Sequence, residues 1–139
     1  MTNENKIILH AEDEPAHAAI VRMAIQRNIG DVQLTQVVDG KAALDYLYHR
    51  GSYEDQALCP RPDLILLDLR MPQIGGLEVL SIVKKDSELH DIPVVILTTS
   101  DVEEERSEAN TRGVDGYLTK PVDFDKFVHM LDELCASWL

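Results

Sequence analysis

"DLILLDLRMP", residues 63–72, is the stretch on which the fold turns. Leu64 to Leu67 form a continuous apolar run, Leu69 follows, and between Leu67 and Leu69 sits a carboxylate, Asp68. A short apolar run bounded by turn signals reads as a strand buried on both faces, the mark of a parallel sheet covered by helices. A carboxylate buried there without a partner is costly or takes up a proton. Asp68 therefore either lies just past the strand end, at a mouth open to solvent, or is met there by a cation.

Four further runs arrange themselves around this one. "KIILH" (6–10) is a short apolar run ending in "AEDEP", and "VQLTQVV" (32–38) is a weaker, alternating strand. "IPVVILTT" (92–99) is β-branched with Pro93 at its entry, where a missing N–H is tolerated, and "DGYLTKP" (115–121) is a brief strand stopped by Pro121. Helical periods separate them. Ile20, Val21, Ala24 and Ile25 make one stripe, Ala43, Leu44, Leu47 and Tyr48 another, and Leu77, Leu80 and Val83 a looser third. The last is the clearest: Phe124, Phe127, Val128, Leu131, Leu134, Cys135 and Trp138 keep i, i+3, i+4 spacing behind Asp123 as cap. The order is βαβαβαβαβα, which predicts an α/β fold, one doubly wound five-stranded parallel sheet with five helices and right-handed crossovers. Residues 1–139 read as one domain, with no repeat, linker or effector domain. The one irregular connection, "HRGSYEDQALCPRP" (49–62), is long for its place and therefore a candidate for function.

The bulk numbers exclude several classes. A net charge of −12 with no basic cluster argues against nucleic-acid backbones and anionic lipid as partners. No stretch approaches the ~20 apolar residues that cross a bilayer, and the polar start "MTNENK" is not a signal peptide. Cys59 and Cys135 match no metal or redox spacing and read as free thiols, which suits a reducing cytoplasm.

In open α/β sheets ligands bind outside the carboxyl ends of the strands. Those ends carry Glu12, Asp13 and Glu14 after the first strand and Asp68 after the third. Thr98 to Ser100 follow the fourth, and Lys120 the fifth. Taken singly, each has a plainer reading: acids at a helix N-terminus, a turn former before Met71-Pro72, a hydroxyl in a local turn, a solvated lysine. The topology places all of them at one mouth, and chance collects such a set poorly. Hard oxygen donors from Glu12, Asp13 and Asp68 suit Mg²⁺, which would also compensate Asp68. An ionised carboxylate beside Mg²⁺ can attack phosphorus, with Lys120 and the Thr98 hydroxyl sharing the charge on the transferring oxygens.

Over residues 6–138 the chain resembles the receiver domain of two-component response regulators. The pieces that carry the resemblance are "IILHAEDEP", "DLILLDLRMPQIGG", "IPVVILTTS" and "GVDGYLTKP"; each is weak alone, and the set is highly specific. The resemblance implies a flavodoxin-like sheet in the order 2-1-3-4-5. It implies that Asp68 accepts a phosphoryl group from a sensor histidine kinase, and that Glu12, Asp13, Asp68 and the backbone carbonyl of Arg70 hold Mg²⁺. It further implies that Thr98 contacts the phosphoryl group, that Lys120 pairs with it, and that Tyr117 is the aromatic whose rotamer follows Thr98. Two departures stand out. Gly75 precedes Gly76 where the family commonly has Asp or Asn, which is expected to alter loop stiffness rather than chemistry. The 49–62 insert, with "RPDLILLDL" and "LTTS", is similar to the small stand-alone regulators that serve cyanobacterial-type phytochrome kinases.

Two other classes compete. An aspartyl-phosphate phosphatase of the haloacid dehalogenase class would want an acid two residues after the nucleophile, where Arg70 stands. A flavodoxin-like cofactor binder would want a hydroxyl- and glycine-rich loop after the first strand, where the acids would repel a flavin phosphate. The chain is therefore expected to be a signalling module and not an enzyme. The fourth helix, within 100–113, has only Val102 and Ala109 as apolar residues, Ser100 or Asp101 as its expected cap and Gly113 as its stop. A helix that docks so weakly is expected to move, so helix 4, strand 5 and helix 5 form the expected face for a downstream partner or a homodimer.

Overall fold

The computed structural model describes residues 6–139, so the polar start of the chain, residues 1–5, lies outside the described residues. Five strands, β1 (Lys6–Ala11), β2 (Val32–Val37), β3 (Leu64–Leu67), β4 (Val94–Thr98) and β5 (Gly116–Thr119), form one sheet in the order β2-β1-β3-β4-β5. Every pairing is parallel. The helices are α1 (Pro15–Asn28), α2 (Gly40–Leu47), α3 (Gly76–Lys85), α4 (Glu103–Thr111) and α5 (Phe124–Trp138).

The apolar runs divide by the two-residue period of a strand. Ile8, Leu64, Leu66, Val95 and Leu97 face α1 and α5, packing on Val21, Ala24, Ile25, Leu131 and Leu134. Leu9, Ala11, Ile65, Leu67, Val94 and Ile96 face the opposite way, toward Ala43, Leu47, Val79, Leu80, Val83 and Ala109. Leu64 to Leu67 are wholly buried, as a central strand covered by helices on both sides demands.

The helix starts obey local chemistry. Pro15 opens α1 and the Glu14 side chain accepts from Ala16 N. Asp39 caps α2 through Ala42 N, and Asp123 caps α5 through Lys126 N at 3.0 Å, as its position predicts. Several expectations change. Tyr48 and Trp138, placed on the α2 and α5 stripes by spacing, are exposed, and Tyr48 is the C-cap beyond α2. Helix α4 begins at Glu103 behind Val102, with no side-chain cap; Ser100 Oγ instead accepts from Val102 N in a turn that precedes the helix. Phe124, placed on the α5 stripe by spacing, is the first residue of that helix and is 54% exposed. Gly113 closes α4 as expected, at φ +89°, with Val114 N donating to Ala109 O. The 49–62 insert contains one 3₁₀ turn (Gly51–Tyr53) and is tied back by Tyr46 Oη to Pro60 O at 2.8 Å and by the His49 ring to Cys59 O.

Candidate functional site

Backbone ladders deliver the functional residues to one mouth. Glu12 N donates to Val37 O at 2.9 Å, Asp68 N to Ala11 O at 3.1 Å and Lys120 N to Thr98 O at 2.6 Å. Each bond extends a strand pairing one step past the strand, so Glu12, Asp68 and Lys120 emerge at the same sheet edge, above β1, β3 and β5, with β4 between the last two. Asp68 lies just beyond β3, is only 8% exposed, and does meet a cation. Lys120 Nζ stands 3.3 Å from Asp68 Oδ2 and 2.5 Å from Glu12 Oε1. It also contacts His17 Nδ1 at 3.0 Å. An ammonium has three protons and no acceptor, so all three of its bonds are in use and His17 Nδ1 must be the accepting nitrogen.

The three acids after β1 separate in role. Glu14 is the α1 cap, whereas Glu12, Asp13 and Asp68 each place a carboxylate oxygen within 4.8 Å of the others. Glu12 is buried and Asp13 exposed, so the cluster opens to water on one side. Burial pushes the Glu12 carboxyl up to about 7 against the pull of Lys120. A cluster of hard anionic oxygens with an open face fits a divalent cation that keeps part of its water.

Thr98 is buried at the end of β4, its Oγ1 accepting from Ser100 N at 3.3 Å. Tyr117 is half-buried on the neighbouring strand, and its hydroxyl donates to Ser100 O at 3.3 Å. Arg106 lies over the Tyr117 ring at 4.4 Å. Arg70, whose N–H reaches Asp68 Oδ1 at 3.5 Å, sends its guanidinium to Glu105 with both carboxylate oxygens within 3.2 Å. Glu105 also accepts from Ser100 Oγ. The first turn of α4 is thereby linked to the residues flanking Asp68 and Thr98.

Sequence reasoning missed several participants. His17, Glu105 and Arg106 gave no local signal. His10 did: it is a polar residue inside an apolar strand, two positions before Glu12 and hence on the same face. It is fully buried, its Nδ1 3.1 Å from Gln36 Nε2 and its Nε2 4.0 Å from Glu12 Oε1. Burial, and then the charge of Lys120, holds its pKa down at about 3, so the ring is neutral.

A sheet in this order, with acids and a lysine gathered over its strand ends, is the flavodoxin-like receiver fold. Residues 8–132 match the model of the response regulator receiver domain, and the chain belongs to that family. It is 37% identical over 138 residues to the response regulator Rcp1 of Synechocystis sp., covering 99% of this chain and 92% of that protein. It is 40% identical over 134 residues to a probable methanogenesis regulatory protein, FilR2, of Methanothrix harundinacea, covering 96% and 83%. The crystal structure of a phosphorylated cyanobacterial phytochrome response regulator, RcpA, superposes with a TM-score of 0.92 at 32% identity, covering 97% of this chain and 94% of that one. The Mn²⁺-bound form of Rcp1 superposes with a TM-score of 0.90 at 37% identity, covering 96% and 94%. The chain is thus a response regulator receiver domain, a module of two-component signalling. Receiver domains bind a divalent metal at an acidic pocket and work with sensor histidine kinases. Among the described residues no helix is long and apolar enough to cross a membrane.

Proposed function

We propose that this chain is a stand-alone, phosphorylation-switched module in which Asp68 accepts a phosphoryl group from a sensor histidine kinase. The observation that carries the reading is Lys120, held between Glu12 and Asp68 beside three clustered carboxylates. Glu12, Asp13, Asp68 and the Arg70 carbonyl would hold Mg²⁺, which when bound would supply charge neutralisation on the transferring oxygens. An Asp68 carboxylate oxygen attacks phosphorus; the O–P bond forms as the donor's N–P bond breaks, and the leaving imidazole keeps the electron pair. Lys120 turns its ammonium to the phosphoryl oxygens, and Thr98 gives up Ser100 N to donate its hydroxyl to them. That residues 1–139 act as one receiver unit is supported by relatives of like length, the chain spanning 92% of Rcp1. Likeness to RcpA supports a phytochrome as the kinase, and two free, buried cysteines support a cytoplasmic setting.

Incubation with acetyl phosphate and Mg²⁺ tests the function. One acid-stable, hydroxylamine-labile phosphate per chain is expected. Sustained turnover of the donor would favour a phosphatase, and no labelling would remove the reading.

The metal assignment has its own check. Asp13→Asn removes one of three mutually repelling acids, so Mg²⁺ affinity should fall at least about tenfold, or roughly 1.4 kcal/mol. The metal-free variant should melt at or above the wild-type temperature, since repulsion falls. Unchanged Mg²⁺ affinity by titration calorimetry would reject Asp13 as a ligand.

The output face is assigned to α4, β5 and α5, through which a downstream partner or a second copy would read the state. Ala109 is the one buried apolar residue of α4, and Val102 is 42% exposed. The helix is held mainly by polar ties, including Arg112 to Leu77 O and Ser81 Oγ at its far end. Withdrawal of the Thr98 hydroxyl from Ser100 N loosens the turn that Tyr117 and Glu105 also hold. Amide NMR with beryllofluoride, a phosphoryl mimic, should therefore move signals across residues 100–120. Shifts restricted to the acidic mouth would leave this face without a role.

A further inference from the structure

Gln36, on β2, decides which proton the buried His10 carries. Its amide oxygen faces Arg22 Nε at 3.0 Å, and arginine can only donate, so that atom must be the carbonyl oxygen. The amide nitrogen then faces Ala18 O at 2.8 Å and His10 Nδ1 at 3.1 Å. A carbonyl can only accept, which confirms the same orientation from the other side. Gln36 therefore donates to His10 Nδ1, the ring nitrogen that must be bare. In a neutral ring the remaining proton sits on Nε2.

That N–H is the anomaly. Among the described residues His10 Nε2 has no hydrogen-bond partner and is fully buried, although buried polar groups are almost always satisfied. It points toward Glu12 Oε1, 4.0 Å away and just beyond bonding reach. Glu12 Oε1 is meanwhile occupied by Lys120 at 2.5 Å, and its other oxygen accepts from Glu14 N at 3.2 Å. The site holds a donor in reserve against the atom that Lys120 vacates when it turns to another anion.

We infer that His10 is a positioning residue for the metal and phosphoryl site: its Nε2–H, set by Gln36 and Arg22, takes over Glu12 Oε1 when Lys120 leaves. The inference rests on the proposed phosphoacceptor reading and adds to it the relay Arg22–Gln36–His10–Glu12. Without that relay, Glu12 would lose its donor at the moment it must be ionised and oriented. Groups that hold a metal-binding carboxylate in place commonly matter about tenfold or more to metal affinity.

Two measurements on the wild type and two variants test this. In histidine-labelled, metal-free protein, long-range ¹H–¹⁵N NMR should show His10 neutral with its proton on Nε2. Addition of Mg²⁺ and beryllofluoride should move that proton downfield and slow its exchange, as a new bond to a carboxylate does. Mg²⁺ titration followed by backbone amide shifts should give His10→Leu an affinity about tenfold below wild type. His10→Gln, which keeps an N–H at similar reach, should stay within about threefold. A proton on Nδ1, an Nε2–H unmoved by the phosphoryl mimic, or equal affinity in His10→Leu and wild type would each overturn the role. If His10→Leu does not fold, the wild-type spectra decide alone. Wild type that binds no Mg²⁺ at the acidic mouth would instead overturn the underlying reading, and the relay with it.

Discussion

Asp68→Asn is expected to remain unlabelled after acetyl phosphate and Mg²⁺, where the wild type gains one phosphate in its intact mass. Asp68 is the carboxylate that combines three properties. Its backbone N–H is pinned to Ala11 O at 3.1 Å, its Oδ2 faces the Lys120 ammonium at 3.3 Å, and an oxygen of it shares the acidic cluster with Glu12 and Asp13. An amide in its place keeps the shape and loses the nucleophile, so the loss should be complete rather than partial. The fold should survive, because Lys120 keeps Glu12 and one of three crowded acids is gone. A metal-free melting temperature at or above wild type would separate lost chemistry from lost structure. Labelling of Asp68→Asn at one phosphate per chain would place the acceptor elsewhere.

Gly76→Ala should cost about 3 kcal/mol or more, roughly 10 °C in melting temperature, while Gly75→Ala stays within about 1 kcal/mol. A Cβ on Gly76 would lie 2.1 Å from Asp68 O and 2.9 Å from Asp68 C. These are backbone atoms in the very peptide that carries the proposed acceptor, and they cannot rotate aside. On Gly75 a Cβ would come no nearer than 3.1 Å to Leu69 O, and its backbone is extended (φ −81°, ψ 169°), open to any residue. The adjacent glycines are therefore unequal. Gly76 lets α3 seat its first turn against the Asp68 peptide, whereas Gly75 is replaceable, as the Asp or Asn common there in the family suggests. The Gly76→Ala protein that does fold should also label more slowly, since the strain falls on Asp68. Two variants of equal thermal stability would show that α3 has room to shift.

The pattern of apolar runs determined the sheet, its parallel sense and the mouth where function sits, because strand burial and strand ends are properties of contiguous residues. Asp68 could be singled out for the same reason: a carboxylate against four buried leucine and isoleucine positions is anomalous before any contact is known. The cap at Asp123 and the stop at Gly113 were legible too, being chemistry within one turn. What the sequence could not decide is which acid does what. Glu12, Asp13 and Glu14 are neighbours of one charge; Glu14 caps α1 by a local bond to Ala16 N, but only the sheet, with Glu12 N pinned to Val37 O, brings Glu12 to Lys120. The start of α4 likewise went to tertiary structure, which ties Glu105 to Arg70, 35 positions away, and leaves Phe124 exposed at the start of α5. Most of all, Lys120 spans 108 positions to reach Glu12, and His10 spans 26 to reach Gln36. Such pairings exist only once a parallel sheet has laid distant strands side by side, because hydrogen bonds act over a few ångströms of space whatever the separation along the chain.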